Sequence, residues 1–282
     1  MNKWILGARP RTLPAAIAPV LVGSALAADS KNLSRAFLAL LVSLSLQIGV
    51  NYANDYSDGI RGTDTDRVGP IRLTASGLAT PKAVKRAAYI SFLFGAIIGL
   101  ILAAQTSWWI ILIGAIAILA AWGYTGGENP YGYSGFGEIS VFVFFGLVAT
   151  IGTFYVQSEK ITFQSALAAI PIGALACAIL AVNNIRDREK DFLVGKETLA
   201  VRLGDRRARI FFVILIISAH VAALATTLPW GALTLLALPL SVRVIRLVLK
   251  GAQGKELIPL LGATGKLQLL FALLFSIALL AR

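Results

Sequence analysis

The chain has 282 residues, 57% of them hydrophobic and 14% charged, with a mean hydropathy of +0.77 and a formal net charge of +12. That apolar share is far above what a soluble globular domain carries, so a water-soluble protein is excluded and the bilayer is the expected solvent. The basic balance does not point to nucleic acid, because polytopic membrane proteins collect Lys and Arg in their cytoplasmic loops.

A spanning helix takes about 20 largely apolar residues, so the chain has room for one membrane-embedded domain over residues 1–282 and no separate soluble one. Lys3, Arg9 and Arg11 precede an apolar stretch from Leu13 to Ala28 that contains Ala25-Leu26-Ala27 and is similar to a signal peptide. Pro14 and Pro19 interrupt it and many apolar segments follow, which favours a retained first helix. The others run approximately over 36–54, 83–104, 107–123, 137–157, 162–184, 208–227, 229–249 and 257–280. The pattern predicts an all-α bundle of nine transmembrane helices.

Charge sets the orientation. The N-terminus, residues 55–86, residues 185–209 and residues 243–256 hold 21 of the 26 Lys and Arg, all on one side of the predicted topology. The positive-inside rule makes that side cytoplasmic. Lys31, Arg35, Lys160 and Arg282 fall on the other side, Lys266 lies within the last helix, and nine crossings leave the C-terminus outside. The expected location is the cell membrane. Trp4 and Trp122 fall near inner helix ends, and Trp108, Trp109 and Trp230 near outer ones, as interfacial anchors do. Cys177, the lone cysteine, cannot form an intrachain disulfide. His220 has no acidic or thiol companion nearby in sequence and reads as a packing or hydrogen-bonding residue of the seventh segment.

The carboxylates are concentrated. Twelve of the fourteen Asp and Glu fall on the cytoplasmic side, and seven of these form two groups. The first, with its amides, is Asn51, Asn54, Asp55, Asp58, Asp64 and Asp66, after the second segment. The second is Asn183, Asn184, Asp187, Glu189 and Asp191, after the sixth. Positions 55 and 58, and positions 187 and 191, have helical spacings that put each pair on one face. Crowded carboxylates at a membrane repel one another and require a compensating cation. Mg²⁺ suits oxygen ligands and commonly bridges carboxylates to phosphates, whereas no thiol or histidine cluster is present for zinc.

A solvated helix cap accounts equally well for either group alone. Their recurrence argues otherwise: Asn51 and Asp55 return 132 residues later as Asn183 and Asp187. A four-helix repeat plus a ninth helix would bring both groups to one face and across one cavity. Such a pair matches a two-site Mg²⁺ clamp for a diphosphate.

At these residues the sequence resembles the UbiA superfamily of intramembrane aromatic prenyltransferases. That pattern is N-D-x-x-D-x-x-x-D after the second helix and D-x-x-x-D after the sixth. Here they read Asn54-Asp55-x-x-Asp58 and Asp187-x-x-x-Asp191, with Gly62 at the last expected Asp of the first motif and Asp64 two residues on. This variant is similar to the branch that prenylates 1,4-dihydroxy-2-naphthoate on the way to menaquinone. The segments RPRTLPAAIAPVLVGSALA, GPIRLTASGLAT, GYTGGENPYGYSGFGE and GKETLAVRLG extend the resemblance over nearly the whole chain.

The resemblance implies a helical bundle around a cavity capped by cytoplasmic loops and open sideways to a prenyl tail. It implies Mg²⁺ held by Asp55, Asp58, Asp187 and Asp191, with Asp64 as the substitute ligand of the first motif. Asn51, Asn54 and Asn184 would orient ligands. Arg61, Arg72, Lys190 and Lys196 would neutralise the diphosphate, and Tyr124 would face the allylic cation. Arg9 and Arg11 are candidates for the acceptor carboxylate. The substrates would be a polyprenyl diphosphate and 1,4-dihydroxy-2-naphthoate. Other acceptors, such as 4-hydroxybenzoate, homogentisate or haem, stay open.

Two other classes compete. A secondary transporter also buries polar residues, but usually near the midplane between inverted repeats. A CDP-alcohol phosphotransferase uses Mg²⁺ and aspartates, but Asp58-Gly59 is followed by Ile60-Arg61-Gly62, which breaks its motif.

Overall fold

The structure is a computed structural model that describes residues 2–30, 32–64 and 69–282. Asp66 and Lys31 lie outside the described residues. The described elements are helical: α1 (Lys3–Ala8), α2 (Pro14–Leu26), α3 (Leu33–Ile60), α4 (Pro81–Gln105), α5 (Trp109–Gly123), α6 (Gly137–Ser158), α7 (Phe163–Leu193), α8 (Leu199–Thr226), α9 (Trp230–Leu249) and α10 (Leu257–Leu280).

Seven of these, α3, α4 and α6 to α10, are long and apolar enough to cross a membrane. The first and fourth predicted segments fold as the 13-residue α2 and the 15-residue α5. At 1.5 Å per residue these reach only about 20 and 22 Å, short of a hydrocarbon core about 30 Å thick. Helices α3 and α7 instead overrun their predicted ends by six and nine residues, to Ile60 and Leu193. Both carboxylate groups therefore begin inside helices, not in the loops beyond them.

The outside of the bundle is apolar. On α4, Ile90, Leu93, Phe94 and Ile97 are exposed, as are Leu112, Ile116 and Leu119 on α5 and Ile210, Ile214 and Val221 on α8. Lipid solvates such a surface, and a helix suits it because its backbone groups pair within the segment.

Two packed units flank a central space. Helices α3 and α4 pair through Tyr52, Ala53, Val84, Ala88 and Phe92. Helix α7, the most buried, packs with α8, α10 and α2 through Ile172, Leu175, Val182, Phe212, Ile216, Leu267, Phe271 and Phe275. Helix α6 reaches α7 closely because both are glycine at the crossing: a Cβ on Gly146 would lie 2.6 Å from the Gly173 Cα. Small residues at such crossings let backbones approach where lipid supplies no hydrophobic drive. Around Gly146, α6 widens into a π turn over Phe142–Val148.

Buried polar groups join the helices. The Gln157 amide donates to Ser24 Oγ at 2.9 Å and His220 Nε2 lies 3.0 Å from Ser241 Oγ. Away from the two Asp-rich groups, Arg35 on α3 donates to Val156 O, Glu159 Oε1 and Gln105 O, tying α3, α4 and α6 together at one end.

Candidate active site

Between α2 to α7 lies a cavity of about 850 Å³. Its body is apolar, with Val42, Leu46, Ile110, Ile118, Phe144 and Val148 among the lining residues. Its polar mouth is formed where the C-terminal turns of α3 and α7 meet the 124–136 and 194–198 loops.

On α3, Asn51, Asn54 and Asp58 follow one another at i, i+3 and i+7 and all line the cavity. Asn51 is locked: its Nδ2 donates to Ala8 O at 2.9 Å and Thr12 Oγ1 at 3.0 Å, and its carbonyl accepts from Arg9 at 3.1 Å. Asn54 Oδ1 accepts from Thr125 Oγ1 at 2.8 Å. Asp58 Oδ1 accepts from Tyr133 Oη at 2.6 Å and from Lys196 Nζ at 3.3 Å. The Lys196 ammonium also lies 4.3 Å from the Tyr133 ring centroid, a cation–π contact. Burial, and then the Asp58 charge, push the Tyr133 hydroxyl above its ordinary range, so it stays a donor.

The α7 group faces it. Asp187 is gripped by Arg186, Nε to Oδ1 at 2.8 Å and Nη2 to Oδ2 at 2.7 Å. Asp191 and Lys190 line the cavity one turn on. The Lys190 ammonium is buried and has no hydrogen-bond partner among the described residues. Asp64 and Arg72 complete the mouth as a buried ion pair, Nε to Oδ2 at 3.2 Å. Asn184 donates to Glu138 Oε1 at 2.9 Å and lines the cavity. Tyr124 lines the wall, edge-on to Tyr131 with ring centroids 5.6 Å apart.

Two expected residues go elsewhere. Asp55 is fully buried outside the cavity lining, its Oδ2 accepting from the Leu73 amide at 2.8 Å and its Oδ1 from the Thr74 amide at 2.9 Å. Three residues along a helix turn a side chain by about 60°, enough to separate it from Asp58. Arg61, also outside the lining, donates to Thr125 O and Gly127 O and so braces the 124–136 loop. Tyr133, Arg186 and Glu138 were not anticipated. The aromatic and glycine-rich run around 133 belongs to a segment that extends the family resemblance, but nothing local pairs it with Asp58.

The mouth sets the carboxylates Asp58, Asp64, Asp187 and Asp191 against the cations Arg72, Arg186, Lys190 and Lys196. Among the described residues no three Asp, Glu, His or Cys converge tightly enough to cage a metal. Hard oxygens on opposite walls fit Mg²⁺ of the kind that keeps waters and is shared with phosphate oxygens, not an all-protein cage.

Fold and mouth together define an intramembrane helical protein with an amphipathic chamber, charged at one end and apolar below. The chain belongs to the UbiA prenyltransferase family, whose model matches residues 16–258. It is 50% identical over 281 residues to a 1,4-dihydroxy-2-naphthoate octaprenyltransferase of Mycobacterium tuberculosis, covering 98% of this chain and 96% of that one. The corresponding Mycobacterium leprae protein is 46% identical over 281 residues, with 98% and 96% covered. A solved UbiA homolog from Archaeoglobus fulgidus bound to GPP and Mg²⁺ shares the fold, with a TM-score of 0.68 at 15% identity over 100% of both chains.

Proposed function

We propose that this protein transfers a polyprenyl group from its diphosphate to 1,4-dihydroxy-2-naphthoate, releasing diphosphate and carbon dioxide and giving demethylmenaquinol. The observation that carries the reading is the cavity itself. Its charged mouth suits a diphosphate, and the apolar chamber below suits a prenyl tail. The acceptor follows from the names of relatives 46% and 50% identical over nearly their whole length.

Asp58, Asp64, Asp187 and Asp191 would hold Mg²⁺, with Asn51, Asn54 and Asn184 orienting ligands and waters. When bound, the metal supplies charge neutralisation at the diphosphate oxygens. Lys190 would donate to the diphosphate, since its buried ammonium has no hydrogen-bond partner among the described residues. Lys196 and Arg72 add fixed positive charge where the leaving group accumulates negative charge. As the allylic C–O bond ionises, the Tyr124 ring would shield the cation. The acceptor's carboxylate-bearing ring carbon then forms the new C–C bond, and loss of that carboxylate as carbon dioxide returns its electron pair to the ring. Arg9, which also lines the cavity, would face the acceptor carboxylate before it departs.

The two shorter helices would complete nine crossings, with α1 and the turn Pro10–Thr12 lengthening the first. The chain would form one domain of two four-helix repeats plus α10, in the cell membrane, with the mouth and N-terminus cytoplasmic and the C-terminus outside.

The test uses purified protein, Mg²⁺, octaprenyl diphosphate and acceptor labelled in its carboxyl group. Diphosphate and labelled carbon dioxide should appear one to one. Diphosphate with the label retained would exclude the naphthoate reaction, and activity on 4-hydroxybenzoate alone would replace the acceptor.

A further inference from the structure

On the reading of the site given above, we infer that Asp55 is a positioning residue and not a metal ligand. With Gly59 it latches the 72–79 turn onto α3, and the latch sets Arg72 at the cavity mouth.

The carboxylate of Asp55 points away from the cavity and takes two consecutive amides, those of Leu73 and Thr74. One helical turn later, Gly59 leaves the space that Thr74 occupies: a Cβ there would lie 2.4 Å from Thr74 Cγ2 and 2.5 Å from its Cβ. Side chain and backbone of the same turn are thus seated on adjacent turns of α3. The turn is compact in itself, with Ser76 N donating to Arg72 O at 3.0 Å and Ala79 N to Leu73 O at 3.1 Å. Leu73 is fully buried and packs where a Cβ on Gly7 would come within 2.7 Å of its Cδ1, so α1 closes the other side.

Arg72 immediately precedes the two latched amides and is held by them. Its guanidinium is buried, lines the cavity and lies 3.2 Å from Asp64. Its Nη1 has no hydrogen-bond partner among the described residues, as expected of a donor kept for an anion. A carboxylate accepting two adjacent amides is a strong, geometrically specific anchor. Losing it would let the guanidinium drift, and a misplacement of about 1 Å costs on the order of 100-fold in a positioned site.

The experiment measures KM for the prenyl diphosphate and the Mg²⁺ concentration for half-maximal rate in wild type, Asp55→Ala, Asp55→Asn, Gly59→Ala, Arg72→Gln and Asp58→Asn. Asp55→Ala and Gly59→Ala should raise KM by roughly 10- to 100-fold, with the Mg²⁺ midpoint moved far less than by Asp58→Asn. Asp55→Asn, which keeps one acceptor oxygen, should fall between them and wild type. Adding Arg72→Gln to Asp55→Ala should cost little more, because both act through one guanidinium. A Mg²⁺ midpoint moved by Asp55→Asn as far as by Asp58→Asn, or full additivity with Arg72→Gln, would overturn the latch. Hydrogen exchange on the unmodified protein tests it without any variant: the Leu73 and Thr74 amides should be protected like the interior of α3. Exchange at the rate of an open turn refutes the latch even if no prenyl transfer is found, whereas absent transfer with protected amides counts only against the reaction.

Discussion

Lys196 Nζ lies 3.3 Å from Asp58 Oδ1, joining groups 138 residues apart. One belongs to the carboxylate group of α3 and the other follows that of α7, so this ion pair fixes both at a single mouth. Tyr133 donates to the same oxygen and lies against the same ammonium, which makes the contact a three-element joint.

Removing Lys196 takes positive charge from the diphosphate position and leaves Asp58 with Tyr133 as its side-chain donor among the described residues. Lys196→Ala should lower kcat/KM for the prenyl diphosphate by roughly 100- to 1,000-fold, the usual loss for one transition-state donor. Lys196→Arg should recover part of it. Steady-state diphosphate release decides the matter, and a variant within twofold of wild type would remove Lys196 from the mechanism.

Tyr133→Phe removes the hydroxyl, with its bond to Asp58 and its 3.4 Å contact with Thr63 Oγ1, while keeping the ring beneath Lys196. A bond to a charged group is worth about 1.5–3 kcal/mol, so activity should fall by roughly 10- to 150-fold. The melting temperature in detergent should drop by only a few degrees. If activity is unchanged, Asp58 needs no help from the 124–136 loop.

Chelation gives a third test. EDTA should abolish turnover and added Mg²⁺ restore it, with Asp58→Asn and Asp191→Asn each requiring more Mg²⁺ for half-maximal rate. Full activity in EDTA would disconnect the opposed carboxylates from a metal.

Hydropathy made the apolar middles of the helices legible, because the bilayer selects composition there. It missed their ends: α3 and α7 continue to Ile60 and Leu193 since tertiary partners, not lipid, hold those polar turns. Spacing placed Asp55 and Asp58 on one face, yet the face is divided, with the cavity served by Asn51, Asn54 and Asp58 and the 72–79 turn by Asp55. Arg186 read from sequence as one more cytoplasmic charge. Only the folded chain shows it clamping Asp187.

The proposed topology is testable with single cysteines in a Cys177→Ala background, Cys177 being buried with its Sγ donating to Glu138 O. Ala75 and Val194 are exposed beside the mouth and Lys160 is exposed at the opposite end. An impermeant maleimide applied to right-side-out vesicles should label position 160 and spare 75 and 194. Labelling of 75 and 194 on opposite sides would destroy the shared mouth, while the reverse of the whole pattern would invert the protein.

The depth of the chamber carries the last prediction. Gly99 on α4, Gly114 on α5 and Gly152 on α6 all line the cavity, and a Cβ added to any of them meets no atom within 4 Å. Their missing side chains therefore keep the bore open and do not serve close helix packing, unlike Gly146 and Gly173. Replacing a mid-helix glycine gains about 1 kcal/mol of helix propensity, so Gly114→Leu and Gly152→Leu should fold at least as well as wild type. The added side chains would project into the space for the distal prenyl units and leave the charged mouth unaltered. Geranyl diphosphate, which ends near the mouth, should keep a kcat/KM within about threefold of wild type. Octaprenyl diphosphate should lose roughly 10- to 100-fold, because each displaced methylene forfeits about 0.8 kcal/mol of burial. Competition between the two donors in one reaction measures the ratio directly. An equal loss for both would mean that the substitutions disturb the mouth, and no loss for either would mean that the tail leaves the cavity sideways before reaching these glycines.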